Sequence, residues 1–258
     1  MTSLAGKIFL LRPTDRDQVE VYDAITYWLE RCLTVPNIRG FTDMASCEHY
    51  RCLYIGDNSV ECIHRLYVHG VQGTATQWAV NGKPRGLSVN AAHNVLVTCD
   101  EVRKIKEFNS HGDLLRELTL PDDVVNPLHV KQTRNREFVV CHCDVNNAVQ
   151  RVCKIAPDGH QTLQSHGRQR GSGTGRYDGP IHLELDNNGF VLVADMNNRR
   201  VTLLSPTLDY VRQVVSRDKL KGRPVRLYLD TERRRLYVAD NEKKGDKWTA
   251  GRVVVFSV

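Results

Sequence analysis

One short phrase recurs through the chain, an apolar strand rich in β-branched residues that closes on an aspartate at a turn. It reads LYIGDN, VLVTCD, VLVADMN and LYVADN, and a looser FVVCHCD fills the gap in the series. The aspartates return about every 45 residues, a period typical of a β-propeller blade. They are Asp57, Asp100, Asp144, Asp195 and Asp240.

The segments around each phrase complete a four-stranded unit. An inner-strand candidate precedes the phrase, and a second apolar run and a more polar outer strand follow it. Period-2 alternation and turn pairs such as Asn188-Gly189 favour strands, and no 3.6-residue periodicity indicates a helix. We therefore predict an all-β chain with one domain over 1–258, a six-bladed β-propeller. Its blades are expected at about 1–37, 38–82, 83–122, 123–167, 168–217 and 218–258.

The first and last blades are expected to be incomplete. Residues 1–4 align with 44–47, which places the start of the sequence inside an inner strand. Val258 closes the third strand of the last blade, and no fourth strand follows it. Propellers usually fill such a position with a strand from the opposite terminus, which leaves no open sheet edge. This sequence offers no such donor, so we expect either imperfect closure or an upstream strand.

The composition of the chain, its first residues and its cysteines indicate the compartment in which the protein is expected. Of the 258 residues 41% are hydrophobic, and no apolar run approaches the ~18 residues that a membrane span needs. The first residues lack the basic start and cleavage site of a secretory signal. Most of the eight cysteines fall in predicted strands, where a small buried thiol fits. We expect a cytoplasmic protein with reduced thiols, with disulfides within 47–52 or 141–143 as the alternative.

The stretch 171–204, GSGTGRYDGPIHLELDNNGFVLVADMNNRRVTLL, resembles the NHL repeat. The similar features are a glycine-rich approach, a proline before the inner strand, Asp-Asn-Asn-Gly at the first turn and V-A-D-x-x-N-x-R-V. The last blade repeats this pattern, and the first four match it by spacing and strand character. The resemblance implies a recognition domain that binds protein or RNA, as in tripartite-motif ubiquitin ligases. The sequence has no RING or B-box array, so it would be only the substrate-recognition part of such a ligase.

The repeated aspartates have a structural interpretation. An aspartate at a strand end can accept backbone N–H groups of the following turn. Asp57, Asp195 and Asp240 are therefore expected to hold the fold, and a bound cation would require several of them to converge with a further acid or amide.

Basic residues concentrate on one set of connections. In an up-and-down blade the loops between blades and the turns between the second and third strands share one face. The net charge is +6, and we expect this face to be electropositive and to bind a partner. The predicted partner-binding residues are Arg168, Arg170, Arg176, Arg199, Arg200, Lys219, Lys221, Arg223, Lys243, Lys244 and Lys247.

Two kinds of partner suit that face. Arginine pairs with carboxylates and phosphates, so an acidic protein segment and single-stranded RNA are both expected ligands. RNA readers usually interleave aromatic residues, and only Tyr177 and Trp248 lie near the basic loops. No cofactor, membrane or small-molecule substrate is expected. Solvated charge without a partner is the alternative interpretation.

An enzymatic alternative is a metal-dependent propeller lactonase or esterase, in which inner-strand side chains hold a divalent ion. The candidates are Asp43, His129, His182 and Glu184, which do not form a recognisable set. No catalytic residue and no metal site is therefore predicted. The Cys-His-Cys run at 141–143 is interpreted as core thiols, and the glycines of 171–175 as a flexible loop.

Overall fold

A computed structural model describes residues 1–12, 18–68, 75–99, 103–144, 149–241, 243–244, 247–248 and 251–258. In these ranges the regular elements are β-strands, except for one turn of 3-10 helix at Arg217–Lys219. Across the same ranges, no helix has the length and apolar character needed to cross a lipid bilayer. The chain forms two compact units, Met1–Glu117 and Leu118–Val258.

The first unit is built from three four-stranded sheets, each with its strands paired in chain order. Strands β1 to β4 are Thr2–Leu4, Lys7–Arg12, Gln18–Asp23 and Leu29–Thr34. Strands β5 to β8 are Phe41–Cys47, Cys52–Asp57, Cys62–Tyr67 and Ala75–Ala79. Strands β9 to β12 are Pro84–Val89, Val95–Cys99, Lys104–Phe108 and Leu114–Thr119.

The second unit contains two four-stranded sheets and one three-stranded sheet. Strands β13 to β16 are Pro127–Gln132, Phe138–Asp144, Val149–Ile155 and Thr162–His166. Strands β17 to β20 are Pro180–Leu185, Val191–Asp195, Arg200–Leu204 and Tyr210–Val215. The last sheet joins β21 (Arg223–Asp230), β22 (Arg235–Asn241) and β25 (Arg252–Ser257), while β23 (Lys243–Lys244) pairs with β24 (Lys247–Trp248).

The repeated phrase forms the second strand of its sheet. This strand has a hydrogen-bonded neighbour on both edges and packs on both faces, so it is apolar throughout. The strands CLYIGD, VLVTC and VLVAD are buried along their whole length. Fourth strands such as LERCLT are largely exposed. The core therefore lies between successive sheets of a unit, as where Val139 and Val152 pack with Leu183 and Val193.

Six successive antiparallel sheets are the blades of a six-bladed β-propeller, and the predicted fold class is confirmed. The first sheet has all four strands, although its inner strand spans only Thr2–Leu4. The last sheet has three strands among the described residues, as expected from the sequence. All eight cysteines lie in the described ranges as free thiols, and six of them are buried.

Candidate ligand-binding surface

Three connections of the second unit form the candidate surface: the loop 167–179 before β17, the loop 216–222 before β21, and the turn 196–199 after β18. We call these three segments the basic loop surface. Hydrogen bonds from the turn residues and from Arg200, the first residue of β19, reach both loops. The three segments therefore share one side of the unit, as the strand alternation predicts.

Arg200 holds the first loop. Its Nε donates to the Asp195 carboxylate at 2.8 Å, its Nη1 to the Ser172 carbonyl at 2.8 Å and its Nη2 to the Arg176 carbonyl at 2.6 Å. Asn198 donates to the same carboxylate and to the Gly171 carbonyl. One guanidinium and one amide thus satisfy the loop backbone and fix its path, which leaves them little freedom to contact a partner.

Arg199 holds the second loop in the same way. Its guanidinium donates to the carbonyls of Leu220, Lys221 and Gly222 at 2.5, 2.6 and 3.3 Å. Residue 199 has a φ of 53°, in the left-handed region of backbone conformation. The two consecutive arginines therefore hold two different loops in place, 167–179 and 216–222.

Three of the repeated aspartates accept a backbone amide from the loop that precedes their sheet. Asp57 accepts the amides of Ser59 and Val60 in its own turn, which confirms the structural role predicted for it. Its other carboxylate oxygen accepts the backbone amide of Arg39, in the loop before β5, the first strand of the same sheet. In the same way, the backbone amide of Asp178 donates to the Asp195 carboxylate, and that of Gly222 donates to the Asp240 carboxylate. These three aspartates are buried structural residues.

Burial perturbs the Asp195 carboxyl. The side chain is fully inaccessible, and desolvation raises its pKa above the ordinary value. The hydrogen bonds from Asn198 and the Asp178 amide and the charge of Arg200 oppose that rise. Arg200 is therefore the charged partner of this buried carboxyl group.

The predicted binding residues fall into three groups. The first is exposed on the two loops and consists of Arg168, Arg170, Arg176, Lys219 and Lys221. The second is half-buried and consists of Arg199, Arg200 and Arg223. The third comprises Lys243, Lys244 and Lys247, which lie in β23 and β24 and whose side chains are outside the described part of the structure. Arg170 pairs with Asp178 at 2.9 Å, and Lys219 lies 3.6 Å from Asp218.

Of the two aromatic residues predicted to lie near the basic loops, Tyr177 is not available for stacking, and the side chain of Trp248 is outside the described part of the structure. Tyr177 is 1% exposed, and its hydroxyl lies 3.4 Å from that of Thr202. It anchors the loop 167–179 to the core of its unit. The exposed positions of that loop are polar residues and one glycine, namely Arg168, Gln169, Arg170, Ser172, Gly173, Thr174 and Arg176.

The inner-strand candidates for metal chemistry have structural contacts of their own. In the first unit, Asp43 accepts the amide of Leu87 at 3.0 Å. In the second unit, the His129 and His182 rings stack with centroids 3.8 Å apart, and Glu184 pairs with Lys131 at 2.8 Å. Burial, helped by the neighbouring positive groups, lowers the pKa of His182 well below its usual value.

Sequence reasoning missed two buried thiol–imidazole pairs. His142 Nε2 lies 3.3 Å from the Cys153 sulfur, and His64 Nε2 lies 3.3 Å from that of Cys62. Burial lowers the pKa of His142 to about 4 and raises those of Cys153 and Cys62 to about 12 and 11. Both pairs are therefore neutral at physiological pH and provide no thiolate nucleophile.

Comparison with known proteins supports the fold and leaves the family open. No protein-family model matches the chain, and no curated protein matches its sequence. A protein of unknown function from Bacteroides caccae has 15% identity and a TM-score of 0.72, with 98% of this chain and 90% of that chain covered. The fold is shared; the family is not shown.

Two further solved structures are lyases. A streptogramin B lyase has 11% identity and a TM-score of 0.66, with 100% of this chain and 81% of that chain covered. A catalytically inactive histidine-to-alanine variant of virginiamycin B lyase from Staphylococcus aureus, solved with quinupristin, has 10% identity and a TM-score of 0.62. That match covers 97% of this chain and 84% of the lyase. Identities this low indicate the same propeller fold and carry no assignment of activity.

Proposed function

We propose that the chain is a non-enzymatic recognition module, of the kind found in NHL-type propellers, whose basic loop surface binds an acidic segment of a partner protein. The supporting observation is that the cations of this surface have two different structural roles. Arg199 and Arg200 give their donors to loop carbonyls. Arg168, Arg176, Lys219 and Lys221 remain exposed on the loops thus fixed. A preordered set of charges loses less conformational entropy when a ligand binds.

An acidic protein segment suits this surface better than single-stranded RNA. Binding of unpaired bases usually depends on exposed aromatic rings. Tyr177 is buried, so it stabilises the loop from below. Guanidinium and ammonium groups pair with carboxylates, and without an aromatic ring beside them they offer little base-specific contact to RNA.

Charge reversal on the exposed group tests the proposal. We expect Arg168, Arg176, Lys219 and Lys221, changed together to Glu, to weaken binding of a glutamate-rich peptide by at least about tenfold, because attraction becomes repulsion. The matched control reverses Arg51, Arg134, Arg136 and Arg233, which are exposed on hairpin turns between the first and second strands of their sheets. Fluorescence anisotropy with both variants compares the two surfaces at equal net charge.

Equal losses in the two variants would show non-specific attraction and refute the surface. Tighter binding of a single-stranded RNA of the same charge, lost only in the loop variant, would replace the protein ligand with RNA. Circular dichroism of both variants confirms that the fold is retained.

Catalysis is the second candidate function, favoured by the lyase neighbours and by the stacked His129 and His182 rings. Both histidines are buried, at 1% and 4% exposure, and the Leu227 amide lies 3.4 Å from His182 Nδ1. We therefore expect no turnover of lactones or of quinupristin, with or without calcium. Turnover that is lost in His182→Ala, with the fold intact, would establish an enzyme.

A further inference from the structure

The last sheet has an open edge. In each of the other five sheets the third strand pairs with a fourth strand. β25, the third strand of the last sheet, pairs only with β22 among the described residues. Its sequence, RVVVFS, has three consecutive β-branched residues. An edge of this composition attracts a further strand.

The side chains of β25 lack the cover that their counterparts have. The third strands β11 and β19 contain buried residues at most positions. β25 is half-buried from Arg252 to Phe256 and exposed at Ser257. The other sheets show what provides the missing cover, namely a fourth antiparallel strand.

The backbone of β25 has hydrogen-bonding groups directed outward. The Val258 amide donates to the Arg234 carbonyl at 3.0 Å, which makes residues 258 and 234 a hydrogen-bonded pair. Such pairs alternate along an antiparallel ladder. The amides and carbonyls of Phe256, Val254 and Arg252 therefore point toward β22. The amides and carbonyls of Val253, Val255 and Ser257 face away from it, toward the open edge.

A groove of about 420 Å³ lies between the last two sheets of the second unit and meets the end of β25 at Val258. Its apolar lining includes Leu203, Val214, Leu229 and Val258, which are partly buried at the margin of the core between the last two sheets. Arg212 and Arg234 stand exposed in the same lining. The Asp186 carboxylate, also in the lining, accepts the amides of Asn188 and Phe190.

We propose that the groove is a strand-addition site, where an extended segment of a partner protein pairs with β25 as the fourth strand. Backbone pairing supplies affinity, and alternate side chains supply specificity. The segment has apolar residues at alternate positions, which cover Leu203 and Val214, and an acidic residue that meets Arg212 and Arg234. This site is separate from the basic loop surface.

The groove favours a single strand over a second copy of the chain. Its walls are strand β20 on one side and the turns at 187–188 and 231–234 at the end. A second copy would bring its β25 together with the sheet in which that strand pairs with β22. A free segment enters without that obstruction.

The test uses the hexapeptide YVEQVV, which is the sequence of β20 with its arginine changed to glutamate. Fluorescence anisotropy should show binding to the intact chain, with YVRQVV bound about threefold more weakly because it lacks the acid. The same peptide with alternate amides N-methylated should not bind, since it cannot complete the ladder. This comparison needs no change in the protein.

Val255→Pro tests the protein side. Proline at this position removes an outward N–H and no bond to β22, so the sheet should remain folded. We expect peptide affinity to fall at least about tenfold. The control Val255→Thr keeps the N–H and should bind as the original chain does.

Two results would overturn the proposal. The first is equal binding of the methylated and unmethylated peptides, which would mean that the groove takes side chains without strand pairing. The second is absence of peptide binding together with a dimer in sedimentation that Val255→Pro dissociates. That outcome would assign the edge to a second copy.

Discussion

Replacing Arg200 with methionine is expected to lower the free energy of unfolding by about 3–5 kcal/mol, because it leaves the buried Asp195 carboxylate without its cation. The carbonyls of Ser172 and Arg176 lose their donor in the same step. Urea unfolding followed by tryptophan fluorescence measures the change. The loop 167–179 should also become sensitive to proteases.

The pH dependence of the Arg200→Met variant separates this cause from lost packing. The pKa of Asp195 is already raised by burial, and removal of the positive charge raises it further. A carboxyl with a raised pKa in the folded state contributes its stability below the unfolded pKa and loses it as the pH rises through the folded pKa. The deficit should therefore be larger at pH 8 than at pH 4.5.

Two variants complete the experiment. Arg170→Met removes an exposed cation from the same loop, and its effect should stay below about 1 kcal/mol. In the double variant Asp195→Asn with Arg200→Met, the losses should be far from additive, since the two groups form one network. A deficit for Arg200→Met that does not change with pH, and additive losses in the double variant, would contradict the electrostatic account.

The repeat made the blades predictable because each unit uses the same local rule. An apolar second strand must close on a residue that accepts amides, so Asp57, Asp195 and Asp240 revealed both the period and their own role. The short β1 and the open last sheet followed from the same alignment. No resemblance was needed for these inferences.

The site was only partly predictable, because charge in a sequence does not show what the charge contacts. Arg199 and Arg200 stand beside each other, yet each reaches a loop more than twenty residues away in the sequence. The five-residue spacing from Asp195 to Arg200 was the available signal. His142 gave none, since its sulfur partner Cys153 lies on the next strand and depends on strand register.

Acid is expected to unfold the second unit through its buried imidazoles. The His142 pKa is lowered to about 4, first by burial and then by the charge of Arg151. The folded state therefore binds this proton less readily than the unfolded chain, whose histidine has a pKa near 6.5. Stability is fully present above about 6.5 and falls as the pH drops toward 4, by about 3 kcal/mol for this group.

Other histidines act in the same direction. Burial also lowers the pKa values of His166 and His182 in the same unit, so the total loss should exceed that from His142 alone. Urea midpoints between pH 7.5 and 4.5 should decrease steeply. The slope of the unfolding free energy against pH reports how many protons the chain takes up when it unfolds.

Substitution at one site isolates the contribution of one imidazole. His142→Gln keeps a polar side chain of similar length that does not titrate, so the slope between pH 6.5 and 4.5 should decrease by about one proton. His160→Gln, at an exposed position on a turn of the same sheet, controls for the substitution itself. Equal slopes in the original chain and His142→Gln would mean that His142 does not resist protonation, and the neutral thiol–imidazole pair with Cys153 would be wrong.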